Sequence, residues 1–108
     1  MINQATVAQA VELLLAAAPG GKVILFGSYA RGDAEEGSDV DFLVVEPEVR
    51  DRFKEMLRLR EVLRPLRIPV DVLVTSRRHF EHWADTPGTV YHEAAVEGKL
   101  FETLPRAG

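Results

Sequence analysis

Along the chain, apolar residues recur first at helical spacing and then in short strand-like runs, and the switching between the two outlines the fold. Val7, Val11, Leu14, Leu15 and Ala18 repeat every three or four positions, which predicts an amphipathic helix over roughly residues 5–18. Thr6 and Gln9 stand at capping-box spacing at its start, and Pro19-Gly20-Gly21 stops it. Lys22 to Phe26 reads as a strand ended by Gly27, and Ser28-Tyr29-Ala30-Arg31 suits one helical turn. The polar stretch from Gly32 to Ser38 is a loop, after which Asp39 to Val45 forms a second strand closed by Pro47. From about Asp51 to Leu63 the pattern is helical again, with Phe53, Met56, Leu59 and Leu63 expected on the inner side and Pro65 ending the run. Ile68 to Val74 is a third strand, entered through Pro69. Thr86-Pro87-Gly88 makes a turn, Val90, Tyr91, Ala94 and Ala95 suit a last helix with Gly98 as its cap, and there is room for a short strand beyond.

The order helix, strand, strand, helix, strand, helix predicts an α/β (α+β) domain: a small mixed sheet covered on one side by helices. The 108 residues fit one domain spanning positions 1–108. A formal charge of −4 lacks the broad basic excess of a general nucleic-acid binder, so no direct nucleic-acid binding is expected. The absence of cysteine rules out disulfides and thiolate metal sites. No segment has a signal-peptide pattern or the roughly 20 apolar residues of a membrane span, so no membrane association and a cytoplasmic location are expected.

The chemistry lies in the acids. Asp39 and Asp41 are two apart on a strand, so both carboxylates leave the same face. Asp71 is the one acid within Ile68-Pro69-Val70-Asp71-Val72-Leu73-Val74, where burial is costly unless something positive meets it. If the second and third strands are neighbours, the three converge, and their repulsion is relieved by a divalent cation. Oxygen-only ligands suit Mg²⁺ or Mn²⁺ rather than zinc. Gly27-Ser28 follows a strand and opens a helical turn, where backbone N–H groups favour phosphate oxygens; Arg31 is placed to add a charge-assisted contact. Taken singly, each feature has a plainer explanation: a solvated strand end for Asp39 and Asp41, a capped turn for Ser28.

Together they read Phe26-Gly27-Ser28-Tyr29-Ala30-Arg31-Gly32, a loop, Ser38-Asp39-Val40-Asp41, and a later strand acid, Asp71. This resembles the minimal nucleotidyltransferase branch of the DNA polymerase β-type nucleotidyltransferase superfamily, whose pattern is G-S-x-A-R-G, a loop, S-D-x-D and a later acid. Pro87 to Ala94 and Glu97-Gly98 look like the end of such domains. The resemblance implies two Mg²⁺ ions (Mn²⁺ being possible) held by Asp39, Asp41 and Asp71, with Asp71 on the ion that activates the attacking hydroxyl. It also implies ATP as nucleotide donor, its β- and γ-phosphates at Gly27 and Ser28, with Arg31 nearby. The implied partner is a helical toxin of the HEPN family, which such proteins neutralise as antitoxins, in some systems by transferring AMP to a tyrosine; a self-dimer is the alternative. Two other readings stay open: a binding antitoxin that acts by contact, and a small-molecule transferase of the aminoglycoside type.

Other residues have simpler expectations. Arg78-His79-Phe80-Glu81-His82-Trp83 suits a surface helix with Phe80 and Trp83 turned inward rather than a His79–His82 metal pair. The charged stretch from Arg50 to Arg67 is a solvated helix face, with a partner surface as the alternative. Arg77 and Arg78 follow the strand that carries Asp71 and are expected near the site. Tyr29 is expected to pack or to line the pocket.

Overall fold

In the computed structural model, which describes residues 1–103, the elements run α1 (Gln4–Ala17), β1 (Lys22–Phe26), α2 (Ser28–Arg31), β2 (Val40–Glu46) and α3 (Arg52–Leu63). A single 3-10 turn, Arg64–Leu66, leads to β3 (Val70–Ser76), α4 (Arg77–Trp83), α5 (Val90–Glu97) and β4 (Lys99–Glu102). The four strands form one sheet in the order β3-β2-β1-β4, with β2 and β3 parallel and the other pairs antiparallel. It is the mixed sheet expected from the sequence, and the short strand after Gly98 is its edge.

Strand parity divides the core in two. Val23, Leu25, Val40, Phe42, Val44, Val72 and Val74 point to α1 and α3, where Ala10, Val11, Leu14, Leu59 and Leu63 complete the larger cluster. Their neighbours Ile24, Phe26, Leu43 and Val45 point the other way and pack with Ala94, Phe80, Val90 and Tyr91. One detail therefore departs from expectation: α1 and α3 cover one face, but α4 and α5 also lie on the second. The reason is already in the strands, since an apolar residue at every position of a run needs cover on both sides.

Local corrections have equally local causes. Asn3, not Thr6, caps α1, its side chain accepting from the Thr6 N–H at 2.8 Å. Phe53 is 67% exposed instead of buried. At 3.6 residues per turn it lies about 90° around α3 from the line of Met56, Leu59 and Leu63. Trp83, at 37% exposure, is also not in the core; it lies beside His79 and His82, while Phe80 alone turns inward. Gly98 does cap α5, its N–H donating to the Ala94 carbonyl at 3.0 Å, but in an extended conformation. Glycine is needed there for space, because a Cβ would collide with the Ala94 carbonyl and the Ile24 side chain.

The larger face ends in an acid cluster. Glu46 closes β2 opposite Glu55 and Arg58 of α3, and its Oε2 is buried with no hydrogen-bond partner among the described residues. Burial, and then the hydrogen bond and charge of Glu55, push the Glu46 carboxyl up to about 7. Glu55 falls to about 2, chiefly through Arg58, whose Nε donates to it at 2.6 Å. A folded pKa above the unfolded one means that Glu46 contributes fully below its unfolded value and that this contribution is lost as pH rises toward about 7. Glu55 acts oppositely, its contribution being lost as pH falls below its unfolded value toward about 2. Glu46→Gln, which mimics the protonated acid, should therefore be more stable than the parent by about 1 kcal/mol near pH 8 and little different near pH 5. Urea unfolding at both pH values checks this; an equal gain at both would reject the pH-dependent contribution of Glu46.

Candidate active site

Phe26 is the last residue of β1 and pairs across to Asp41, so the chain turns away from the sheet directly beside that acid. The turn is made at Gly27, with φ 74° and ψ −154°, a conformation side chains rarely adopt. A Cβ on Gly27 would also run into the Asp41 carboxylate. Glycine is thus required twice, once by dihedral and once by the acid lying against it. Ser28 then begins α2 as its first residue rather than as its cap. The short helix is itself two-sided. Tyr29 and Ala30 pack into the larger core, where the Tyr29 hydroxyl accepts from the Ile2 N–H at 3.1 Å. Ser28 is half-buried and Arg31 exposed on the other side; the Ala30 and Arg31 amides donate to the Gly27 carbonyl at 3.1 and 3.0 Å, which leaves the earlier amides of the turn to other partners.

Asp39 and Asp41 share a parity with Leu43 and Val45, which places them on the face of α5 rather than in the larger core. Parallel pairing puts Asp41 opposite Asp71 in register, so those two strands deliver two acids to the same level. The loop before Asp39 is closed by Ser38, whose Oγ accepts from the Glu35 N–H at 2.9 Å while its own N–H donates to the Glu35 carbonyl at 3.0 Å. Burial raises the Asp41 pKa first, then the charges of Asp71, Asp39 and Glu93; Arg31 opposes the rise. Three carboxylates therefore act on Asp41 at one end of the sheet.

Their side chains do not close into a cage: among the described residues no three acids stand close enough to enclose an ion. Asp71 is turned outward, its Oδ1 held by Arg60 of α3 at 3.3 Å. Arg31 is likewise engaged, by Asp33 at 3.2 Å, Glu97 at 3.3 Å and Glu93 at 3.5 Å, which raises its pKa, Asp33 and Glu97 being the main causes. Glu93 and Arg60 are the residues that motif reading missed. Glu93 lies within the Pro87 to Ala94 segment, on a helix whose inner face is set by Val90, Tyr91 and Ala94. Arg60 carried no signal beyond being one charge in a charged helix. Arg77 and Arg78 do not join the site. They follow the far end of β3, six residues or about 20 Å of strand from Asp71, and Arg77 instead lines a pocket with Lys22 and Phe80. His79 and His82 pack edge-on against Tyr91 and Trp83 respectively.

Residues 7–87, a span that takes in the glycine turn and all three strand acids, match the nucleotidyltransferase domain family. The chain belongs to that family. This nucleotidyltransferase domain is also similar to two Methanocaldococcus jannaschii proteins, each provisionally named a protein adenylyltransferase. The first is 41% identical over 54 residues, covering 50% of this chain and 54% of its own. The second is 71% identical over 24 residues, 22% of this chain and 24% of its own. The chain thus spans about half of the first relative's length and less of the second's. Among solved structures, a provisionally assigned nucleotidyltransferase from Sulfolobus solfataricus superposes with TM-score 0.61 at 24% identity, over 90% of this chain and 77% of the other. A toxin–antitoxin structure with AMP-PNP gives TM-score 0.57 at 24% identity, covering 94% and 75%. The Shewanella oneidensis complex of a tri-AMPylated HEPN toxin with its MNT antitoxin gives 0.53 at 22%, covering 94% and 74%. At these identities the structures establish a shared fold.

In this nucleotidyltransferase domain Asp41 is a charge held against the interest of the fold. Its folded pKa is raised, so stability is complete only below its unfolded value and declines as pH rises toward the folded one. Without added metal, Asp41→Asn should therefore raise stability at neutral pH and leave it almost unchanged near pH 3. Thermal unfolding of both proteins at the two pH values checks this, and a destabilised Asn variant at neutral pH would show that Arg31 outweighs the repulsion.

Proposed function

We propose that the chain transfers AMP from ATP to a hydroxyl of a partner protein, as the antitoxin of a HEPN–MNT toxin–antitoxin pair. The observation that carries this is the meeting of Gly27 with Asp41, and of Asp41 with Asp71, at one end of the sheet. It brings a turn able to take phosphate alongside a set of acids able to hold a cation. The two provisionally named adenylyltransferases support a protein acceptor. The shared fold with the antitoxin of the AMPylated HEPN toxin supports the kind of partner.

The donor set fits a divalent metal ion such as Mg²⁺: it is all oxygen, and Asp41 is raised by burial and then by the charges of Asp71, Asp39 and Glu93, which a cation would offset. Asp39, Asp41 and Asp71 would hold it, and a bound pair of ions supplies charge neutralisation to the attacking and leaving oxygens of a displacement at phosphorus. The chain's own groups do the rest. The backbone at Gly27 and Ser28 receives the β- and γ-phosphates, free of any side chain at Gly27. Arg31 sits at the rim, able to exchange an exposed carboxylate for a phosphate oxygen. The acceptor hydroxyl oxygen bonds to the α-phosphorus, the bond to the bridging oxygen breaks, and pyrophosphate leaves. Asp71 takes the hydroxyl proton, for which it must first turn from Arg60.

Incubation with Mg²⁺, ATP labelled at either the α- or the γ-phosphate and lysate of the source organism tests the proposal. Label should reach one protein from the α-position only, and the Asp39→Asn/Asp41→Asn protein should transfer at least about 100-fold less. Protection against a HEPN toxin that persists in that variant, with no label on the toxin, would move the reading to an antitoxin acting by contact.

A further inference from the structure

One groove runs from Asp39 away from the phosphate turn. Arg60 on α3, Arg64 opening the 3-10 turn and Arg67 just beyond it follow one another along this edge of the molecule. With Ile68, Pro69 and Val70 they line an open groove of about 600 Å³ that also takes in Asp39. Arg60 reaches Asp71 at 3.3 Å, so the groove meets the site acids from the β3 side. Gly27 lies across β2 from there, since the sheet order is β3-β2-β1.

We propose that this groove docks an acidic segment of the acceptor protein, next to the hydroxyl that receives the nucleotide; the inference rests on the transfer reading above. Position argues for the acceptor. The phosphate turn lies on β1, which leaves the β3 side for the incoming hydroxyl. Side-chain chemistry argues for acid. Three arginines line the groove, with Asp39, Glu61 and, at its inner end, Asp71 as the acids beside them. A guanidinium is a planar fork matched to a carboxylate. Arg60 and Arg64 already hold such groups, Asp71 at 3.3 Å and Glu61 at 3.1 Å, in pairs exposed enough to exchange for a better-placed carboxylate. Arg67 is, among the described residues, the one non-glycine with positive φ, at 51°. A position that favours glycine or asparagine thus carries a third cation at the groove.

Fluorescence anisotropy without ATP reads docking whether or not transfer occurs. The probes are a labelled tyrosine peptide flanked by glutamates and its counterpart flanked by glutamines. The parent should bind the glutamate peptide at least about 10-fold more tightly, with affinity falling as salt rises. Arg64→Glu/Arg67→Glu should abolish the preference, and Arg64→Gln/Arg67→Gln should reduce it, with thermal unfolding of each unchanged because both side chains are exposed. Equal binding of the two peptides, or a preference that survives both variants, overturns the inference. Tighter binding of a single-stranded oligonucleotide than of the glutamate peptide overturns it in favour of a nucleic-acid site. Transfer of α-label to the peptides, measured in parallel, judges the other reading by itself. A charge-dependent preference without label leaves the groove assignment standing and counts against transfer; label on both peptides without a preference does the reverse.

Discussion

Asp41 leaves β2 at the level where β1 ends, and its carboxylate lies against the backbone of Gly27 in space that any Cβ would occupy. Around this contact the charges are arranged unfavourably. Asp39 precedes it on the same strand face, Asp71 pairs beside it in register, and Glu93 approaches from α5, so its ionisation is resisted by burial and by three acids together. Sheet hydrogen bonding and the two apolar clusters hold the strands in a register that these charges oppose. Arg31 and Arg60 are the local answer, each holding acids at the rim.

The same end of the sheet separates two tasks by geometry. Gly27 and Ser28 come from β1 and the turn after it, the acids from β2 and β3, and Glu93 and Glu97 from the helix on the second face. None of these depends on a long loop for its position. Gly98 completes the arrangement from a distance, because its missing side chain lets the end of α5 settle on Ile24, and α5 is what carries Glu93. Packing at Gly98 and electrostatics at Asp41 are therefore one problem seen from two places.

How much of this was legible in the sequence depends on how local each cause is. Strand and helix positions followed from apolar spacing, and the glycine turn and the Asp39/Asp41 pair stood within one short segment. Their pairing with Asp71 was legible as a condition on strand order, which the parallel β2–β3 register meets. What escaped was set by contacts between elements far apart in sequence. Glu93 faces Asp41 only because Val90, Tyr91 and Ala94 seat α5 on the second face. Arg60 meets Asp71 only because α3 crosses to the edge strand. Phe53 and Trp83 were misplaced because a residue near the boundary of an apolar stripe is assigned by the exact helix rotation, which the pattern does not supply. Arg77 was misplaced for a different reason: adjacency in sequence to an acid-bearing strand says nothing about which end of it a residue occupies.

The parity of β2 has a further consequence. Val40, Phe42 and Val44 fill the larger core while Asp39 and Asp41, interleaved with them, face the other side. Slipping the pairing by one residue would exchange the two sets, driving Asp39 and Asp41 toward the larger core and taking Phe42, its largest side chain, out of it. A register error in β2 would thus disturb the larger core and the acid cluster together, because alternate residues of one strand carry both.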